Sequence, residues 1–207
     1  MNSELLLDKY PIISDQISKN KLKVILKLLD DVIQKDTPGD ITEFGCYIGT
    51  TSLFLQRVVQ NTKKKLYVYD SFEGLPEKTI RDLSGAGQQF KKGELKSTKA
   101  QFCREFKNAS LKLPIIKKSW FNELTDEDLP VTICLAFLDG DFFESIFGSL
   151  KLTWHKLPRG GIIIIDDFTN ESLPGASRAA ELFFRDKIKS YSHRTEAGLG
   201  IFQKNEN

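Results

Sequence analysis

Two runs of large apolar residues, each followed at once by a pair of acids, constrain the fold of this chain more than any other feature. The run ICLAFL precedes Asp139 and Asp141, and the run GGIIII precedes Asp166 and Asp167. Continuous apolar runs bounded by glycine, proline and charged residues are typical of strands buried on both faces, as in parallel α/β sheets. Because such sheets bind ligands beyond the carboxyl ends of their strands, we expect the four acids to lie at a ligand site.

The four acids would repel one another unless a cation or a basic side chain lies among them. If the two strands are neighbours, they lie about 4.8 Å apart, and Asp139, Asp166 and Asp167 can then share one hard cation, which prefers carboxylate oxygens. The alternative partner is Arg178, which can neutralise one acid through a bidentate pair from the next predicted helix. For Asp141 alone, a role in catalysis and a role as cap of the following helix both stay open.

Strand and helix patterns alternate along the whole chain. Apolar runs predict strands over 41–44, 66–70, 114–118, 132–138 and 161–165, and a hairpin-like pair over 191–194 and 199–203. Helical spacing predicts helices over 17–34, 99–106, 144–154 and 175–187, and a further helix capped by Thr50 or Thr51. This order predicts an α/β fold: a doubly wound, mostly parallel, Rossmann-like sheet with an antiparallel C-terminal edge strand.

The length of 207 residues fits one domain. We expect it to contain an N-terminal helical segment over 1–38 and a polar loop or lid region over 71–113, whose length suggests a function. The net charge of only +2 argues against nucleic-acid binding, and the three cysteines lack a CxxC spacing. No apolar run approaches the length of a membrane span. We therefore expect a cytoplasmic protein with reduced cysteines that binds neither nucleic acid nor membrane, and a homo-oligomer is left open.

The segment EFGCYIGTTS joins the first predicted strand to the next helix, and its glycines, Gly45 and Gly49, let backbone approach a ligand closely. Asp70 ends the second strand near the spacing, about 20 residues, at which an acid accepts hydrogen bonds from ribose hydroxyls. A strict GxGxxG motif is absent, because Tyr47 occupies the position of its second glycine. Glu43 suits a cationic amino group better than a diphosphate, which it would repel.

Four segments in this order carry a resemblance: EFGCYIGTTS, YVYDSFEGLPE, FLDGDFFES and LPRGGIIIIDDF. The later segment PGASRAAELFF is also similar. On these segments the chain resembles the class I S-adenosylmethionine (SAM) dependent methyltransferases, and specifically the macrocin O-methyltransferase family. The resemblance implies transfer of a methyl group from SAM to a hydroxyl of a sugar or other small-molecule acceptor, with Mg2+ or another divalent cation.

The resemblance also implies roles for individual residues. Asp139, Asp166 and Asp167 are the implied metal ligands, and Asp141 lies at the position of the general base. The implied cofactor-binding residues are Glu43, Gly45, Gly49, Thr50, Asp70, Ser71, Ser119 and Trp120. Among these, Asp70 is expected on the ribose, and Ser119 and Trp120 beside the adenine.

Two other functions remain as alternatives. An oxidoreductase that binds NAD or a nucleotide sugar would share the sheet and the position of Asp70, but Glu43 and Tyr47 argue against it. A SAM-binding protein without transfer activity is the second alternative, and the presence of every predicted ligand acid weighs against it.

Overall fold

The computed structural model describes residues 3–86 and 89–205, so that two residues at each end and residues 87–88 of the predicted lid lie outside the description. Within the described residues, one sheet of seven strands has helices on both faces. The strands are β1 (Asp40–Phe44), β2 (Leu66–Asp70), β3 (Ile115–Lys118), β4 (Ile133–Leu138), β5 (Ile162–Ile165), β6 (Tyr191–Glu196) and β7 (Leu199–Lys204). The α-helices are α1 (Leu6–Lys9), α2 (Lys19–Gln34), α3 (Thr50–Val59), α4 (Lys99–Asn108), α5 (Phe143–Trp154) and α6 (Pro174–Phe184).

The strand order across the sheet is β3-β2-β1-β4-β5-β7-β6. Strands β1 to β5 are parallel, whereas β7 runs antiparallel to β5, and β6 antiparallel to β7. The predicted doubly wound sheet with an antiparallel edge is therefore confirmed. Phe44 pairs with Leu138, and Leu138 pairs with Ile165, so that β1, β4 and β5 end level with one another. This register brings the loops after these three strands together.

Alternate residues along the strands enter two separate cores, because successive side chains of a strand point to opposite faces. On β5, Ile162 and Ile164 pack with α2, α3 and α4, whereas Ile163 and Ile165 pack with α5 and α6. All four side chains are buried. The sheet is thus covered on both faces, which explains why its central strands are continuous apolar runs.

The helices begin and end close to their predicted positions, and the differences at α3 and α6 are the most informative. Helix α3 is preceded by Gly49 at the N-cap, with φ 97°, and Thr50 is already helical. The prediction that a threonine caps this helix is therefore wrong: the chain must turn sharply there, and glycine reaches a positive φ without steric cost. Helix α6 ends at Phe184 rather than at residue 187. In the described part of the chain, no helix is long and apolar enough to cross a membrane.

The chain closes with the β6–β7 hairpin. Glu196 pairs with Leu199, and the two residues between them, Ala197 and Gly198, have φ values of 52° and 86°. Positive φ at both positions is what a type I′ turn requires, and this turn matches the twist of the two strands.

Candidate active site

A cleft of about 880 Å³ lies beyond the carboxyl ends of the parallel strands, where the order of strands reverses between β1 and β4. Doubly wound sheets bind their ligands at this point. Three parts of the chain form its walls: the loop between β1 and α3, the segment after β2, and the loops after β4 and β5. The predicted site residues that line it are Gly45, Asp70, Ser71, Trp120, Asp139, Asp141 and Asp167.

The loop between β1 and α3 packs directly on the end of β4. A β-carbon added to Gly45 would lie 1.9 Å from the backbone oxygen of Asp139, which is far inside van der Waals contact. Gly45 also has φ 87°. At Gly49, an added β-carbon would lie 2.9 Å from the ring of Phe102. Both glycines therefore allow close contacts that shape the loop, and Gly45 joins the glycine loop to the acidic end of the cleft.

Asp70 holds this loop in place. One of its carboxylate oxygens accepts the backbone N–H groups of Cys46, at 2.7 Å, and Tyr47, at 3.2 Å, and the other accepts that of Phe72, at 2.6 Å. A carboxylate offers about four lone-pair positions. Asp70 can therefore order the loop and still accept a hydrogen bond from a ligand hydroxyl in the cleft.

Glu43 is fully buried below the loop and does not line the cleft. Burial raises the pKa of Glu43 to about 8; the hydrogen bond from the Ser52 hydroxyl opposes the shift, and the charge of Asp70 adds to it. Its Oε1 atom has no hydrogen-bond partner among the described residues. Buried polar atoms are usually paired, so Glu43 keeps an acceptor free for a ligand group that reaches below the loop.

Four acids gather at the other end of the cleft. Burial raises the pKa of Asp139 well above its usual range, and repulsion from Asp166, Asp141 and Asp167 adds to the shift. The same two causes raise the pKa of Asp141 to about 8 and that of Asp166 to about 6. The predicted convergence of the acids is therefore observed, and each of these buried carboxyl groups makes it harder for its neighbours to ionise.

A lysine that sequence reasoning did not single out neutralises part of this charge. The Nζ atom of Lys21, in the first turn of α2, lies 2.5 Å from Oδ1 of Asp166 and 2.9 Å from Oδ1 of Asp167. Burial alone would lower the pKa of Lys21, but the two carboxylates raise it above its usual value. Arg178, the alternative partner, instead donates to the backbone oxygens of two residues in the segment after β2.

Asp141 sits at the centre of a tight turn. Its φ is 56°, and the N–H of Phe142 donates to the oxygen of Gly140 at 2.6 Å. A hydrogen bond across three residues with a positive central φ is the rare and strained γ-turn. The N-cap residue of α5 is Phe142, whose side chain makes no capping hydrogen bond. The capping role left open for Asp141 is thus not observed, and Asp141 instead lines the cleft.

The acids match a hard divalent cation in donor chemistry, because Mg2+ and Ca2+ prefer carboxylate oxygens. Buried carboxylates that repel one another would also gain from such an ion. In the described ranges, however, no group of three acidic, histidine or cysteine side chains is arranged to hold a metal ion. The amino group of Lys21 bridges Asp166 and Asp167 instead. The donors therefore fit a cation chemically, but a cation at Asp166 and Asp167 would have to displace the amino group of Lys21.

The family model of macrocin-O-methyltransferase (TylF) matches residues 7–191, which is most of the chain. This chain belongs to the macrocin O-methyltransferase family. The resemblance predicted from the sequence motifs is confirmed.

Curated relatives of this family member are methyltransferases of natural products. It is 24% identical over 160 residues to the demethyldecarbamoylnovobiocin O-methyltransferase of Streptomyces niveus, covering 73% of this chain and 61% of the relative. It is 28% identical over 149 residues to the 8-demethyl-8-(2,3-dimethoxy-alpha-L-rhamnosyl)-tetracenomycin-C 4'-O-methyltransferase of Streptomyces olivaceus, covering 68% of this chain and 57% of the relative. The chain thus spans about 60% of the length of these two relatives.

Among solved structures, the O-methyltransferase NovP has a similar fold, with a TM-score of 0.79 and 22% sequence identity. The match covers 92% of this chain and 81% of NovP. At this identity the comparison supports the fold alone.

Several residues that the macrocin O-methyltransferase resemblance placed in the cofactor pocket lie outside the cleft. These are Glu43, Gly49, Thr50 and Ser119. Asp166 lies below the cleft surface, 3% exposed. Sequence reasoning also missed Asp82, a buried residue of the segment after β2 that lines the cleft. Its one signal in the sequence is the spacing from Thr79, which is that of a capping box.

Proposed function

We propose that this chain transfers a methyl group from SAM to a hydroxyl of a sugar or other small-molecule acceptor, with the help of a divalent cation. The observation that carries the proposal is the shared cleft. It holds a glycine loop ordered by Asp70 at one end and the acids Asp139, Asp141 and Asp167 at the other. A methyl donor and a hydroxyl acceptor bound in these two parts would meet between them.

The loop end of the cleft fits SAM. Asp70 keeps acceptor capacity for ribose hydroxyls, and Trp120 offers an aromatic face at the cleft wall for a flat base. The free Oε1 atom of Glu43 can accept a hydrogen bond from an amino group that reaches below the loop. When bound, SAM supplies a methyl group on a positively charged sulfur, which leaves as a neutral thioether.

The acidic end would hold the cation through Asp139, Asp166 and Asp167. A bound divalent cation lowers the pKa of an oxygen that it contacts and orients that oxygen. Asp166 and Asp167 need a positive charge beside them, either the ion or the amino group of Lys21, because clustered carboxylates destabilise one another. We therefore expect the ion and the amino group of Lys21 to exclude each other at Asp166 and Asp167.

Asp141 is the proposed general base. Burial and the neighbouring acids raise its pKa to about 8, close to neutral pH, where a group both binds and releases protons readily. In the transfer, the acceptor oxygen forms a bond to the methyl carbon as the carbon–sulfur bond breaks, and the hydroxyl proton passes to Asp141. The strained turn at Asp141 holds its carboxylate towards the cleft, as such turns often do at functional sites.

A sugar is the acceptor that the relatives favour, since one of them is named for methylation of a rhamnosyl compound. The cleft walls agree with this class. Aromatic side chains such as Phe121 and Phe147 stand beside the polar Asn122 and Glu144. Flat apolar surfaces with a few placed polar groups are typical of small-molecule sites.

The test is a calorimetric titration of SAM and, separately, of Mg2+ into the purified chain and into Asp166→Ala/Asp167→Ala. We expect SAM binding in both proteins and loss of magnesium binding in the variant. Asp126→Ala/Glu127→Ala, which removes two adjacent exposed acids, is the matched control and should bind both ligands as the unmodified chain does. Absence of SAM binding would refute the proposal, and magnesium binding that survives in the double variant would refute the assigned ligands.

A further inference from the structure

The lid is tied to the first turn of α5 by one buried carboxylate. Asp82 lies in a short 3-10 helix, Ile80–Asp82, and is 2% exposed. Its Oδ1 atom accepts the backbone N–H of Phe143, the first residue of α5, at 2.6 Å. The first N–H groups of a helix have no partner within the helix, and a carboxylate there also interacts favourably with the helix dipole. The lid therefore supplies the cap that the sequence before α5 lacks.

The second oxygen of Asp82 fixes the shape of the lid. Oδ2 accepts both the backbone N–H and the hydroxyl of Thr79, each at 2.8 Å. One carboxylate thus closes a turn of the lid with one oxygen and docks that turn on α5 with the other. Neither contact can change without affecting the second, because both belong to one planar group.

Helix α6 lies directly against this carboxylate. A β-carbon added to Gly175 would lie 2.1 Å from Oδ1 of Asp82, so that the helix backbone presses directly against it. Arg178, one turn further on, donates to the backbone oxygens of Arg81, at 2.7 Å, and Leu83, at 3.0 Å. The residues on either side of Asp82 are therefore held by the same helix.

This contact lies two residues from Asp141. Phe142, the intervening residue, packs in a small core with Leu75 from the lid and Leu173 from the segment before α6. The strained turn at Asp141 is consequently followed by two residues that both contact the lid, Phe142 through its side chain and Phe143 through its N–H. A strained turn persists only where its surroundings hold it.

We propose that Asp82 is a positioning residue that couples docking of the lid to placement of Asp141. When the lid is docked, Asp82 fixes the start of α5 and with it the turn that holds the Asp141 carboxylate in the cleft. When the lid lifts, the same N–H loses its partner and the turn relaxes. The catalytic part of this inference rests on the proposed function, whereas the mechanical coupling does not.

Hydrogen exchange tests the coupling directly. In Asp82→Ala and in the milder Asp82→Asn, we expect amides in both 71–97 and 140–147 to exchange roughly tenfold faster or more, as for loss of a buried charge-assisted hydrogen bond. Amides of β1 and β4 should be unchanged, which distinguishes local loosening from loss of global stability. If Asp82→Ala does not fold, Asp82→Asn carries the comparison. Faster exchange in the lid with unchanged exchange in 140–147 would overturn the proposal.

The chain offers a matched control in Asp128. It closes a second turn of the same kind, accepting the N–H and hydroxyl of Thr125 at 3.0 and 3.2 Å, but its other oxygen binds Lys117, at 2.6 Å, instead of a helix end. Asp128→Ala should leave exchange in 71–97 and 140–147 unchanged. Equal loosening by both variants would also contradict the proposal.

Kinetics test the catalytic part on an acceptor that the unmodified chain methylates. Asp82→Asn should lower kcat about tenfold or more while the KM for SAM stays the same, because the Asp70 end of the cleft is untouched. A changed KM with unchanged kcat would overturn the positioning role. If the unmodified chain binds no SAM, the proposed function fails, and the exchange experiment still decides the coupling.

Discussion

Lys21 places its amino group 2.5 Å from Oδ1 of Asp166 and so joins the first turn of α2 to the end of β5. Asp167 accepts a hydrogen bond from the same amino group at 2.9 Å. The side chain of Lys21 is only 16% exposed, so this ion pair is weakly screened by solvent. The acids that a divalent cation would need are therefore already partly neutralised by the protein.

Substituting Lys21 by methionine should strengthen the binding of Mg2+ by roughly tenfold or more, since unit charges about 4 Å apart interact by about 4 kcal/mol at an effective dielectric constant near 20. Methionine keeps most of the length of the side chain without its charge. Calorimetric titration of Mg2+ at pH 8 measures the change.

Lys19→Met is the control for this experiment. Lys19 lies on the same helix and forms an ion pair with Asp8 at 2.7 Å, but both side chains are exposed, so the magnesium affinity should not change. An affinity for Mg2+ that is equal in Lys21→Met and in the unmodified chain would show that the amino group and the ion do not compete.

Glu43→Gln should flatten the dependence of stability on pH. The pKa of Glu43 rises from 4.5 to about 8 on folding, so between these values the native state holds a proton that the unfolded state has released. Raising the pH across this window therefore favours unfolding, by up to about 1.4 kcal/mol per pH unit. The stabilisation is complete below pH 4.5 and is lost as the pH rises through 8. Glutamine cannot titrate, so the contribution of Glu43 to the slope disappears in the variant.

Urea unfolding at several pH values between 5 and 9 measures this slope. Asp141, whose pKa is also about 8, contributes to the slope in both proteins and cancels in the comparison. Glu127→Gln, at an exposed position, should leave the slope as it is. A slope that is the same with and without Glu43 would mean that the buried side chain does not hold its proton.

The parallel core of the fold was predictable because β4 and β5 are buried on both faces, and burial of this kind leaves a continuous apolar run in the sequence. The start of α3 was not predictable, because a sharp turn with a positive φ at Gly49 replaces the expected side-chain cap. Helix-capping propensity favours threonine at an N-cap, but the positive φ and the close approach to the ring of Phe102 require glycine here.

The convergence of Asp139 with Asp166 and Asp167 followed from the strand ends alone. The pairing of these acids with Lys21 could not be predicted from the sequence. Lys21 lies far away in the chain, on a helix whose position depends on its packing against the sheet. The role of Asp82 was not predicted for a similar reason. Its capping box with Thr79 is visible in the local sequence, but its contact with Phe143 joins the polar segment after β2 to a distant helix.

Asp70→Asn should destabilise the chain even without SAM. Asp70 accepts three backbone N–H groups through its two oxygens, and an amide offers only one oxygen, so at least one donor loses its acceptor. An unpaired buried donor costs about 1–3 kcal/mol. We expect a loss of stability of that size in urea unfolding, together with weaker binding of SAM in calorimetry.

Asp40→Asn is the comparison for this loss. Asp40 starts the neighbouring strand β1 and accepts one exposed backbone N–H, from Lys65, at 2.8 Å, which one amide oxygen can still accept. Its substitution should change stability by less than about 0.5 kcal/mol. Equal losses at the two positions would indicate that Asp70 does not anchor the loop.

Gly45→Ala should be among the most damaging single substitutions in the chain, and Gly93→Ala shows why. Both glycines have a positive φ, 87° and 81°, so alanine is strained at either by about 1–2 kcal/mol. A β-carbon at Gly93 meets no atom within 4 Å, whereas one at Gly45 lies 1.9 Å from the backbone oxygen of Asp139. We expect Gly93→Ala to lose only the stability that the backbone strain costs. Gly45→Ala should lose several kcal/mol of stability in urea unfolding, since β1 and β4 would have to separate. Similar losses for the two variants would mean that the contact between the glycine loop and Asp139 does not constrain the cleft.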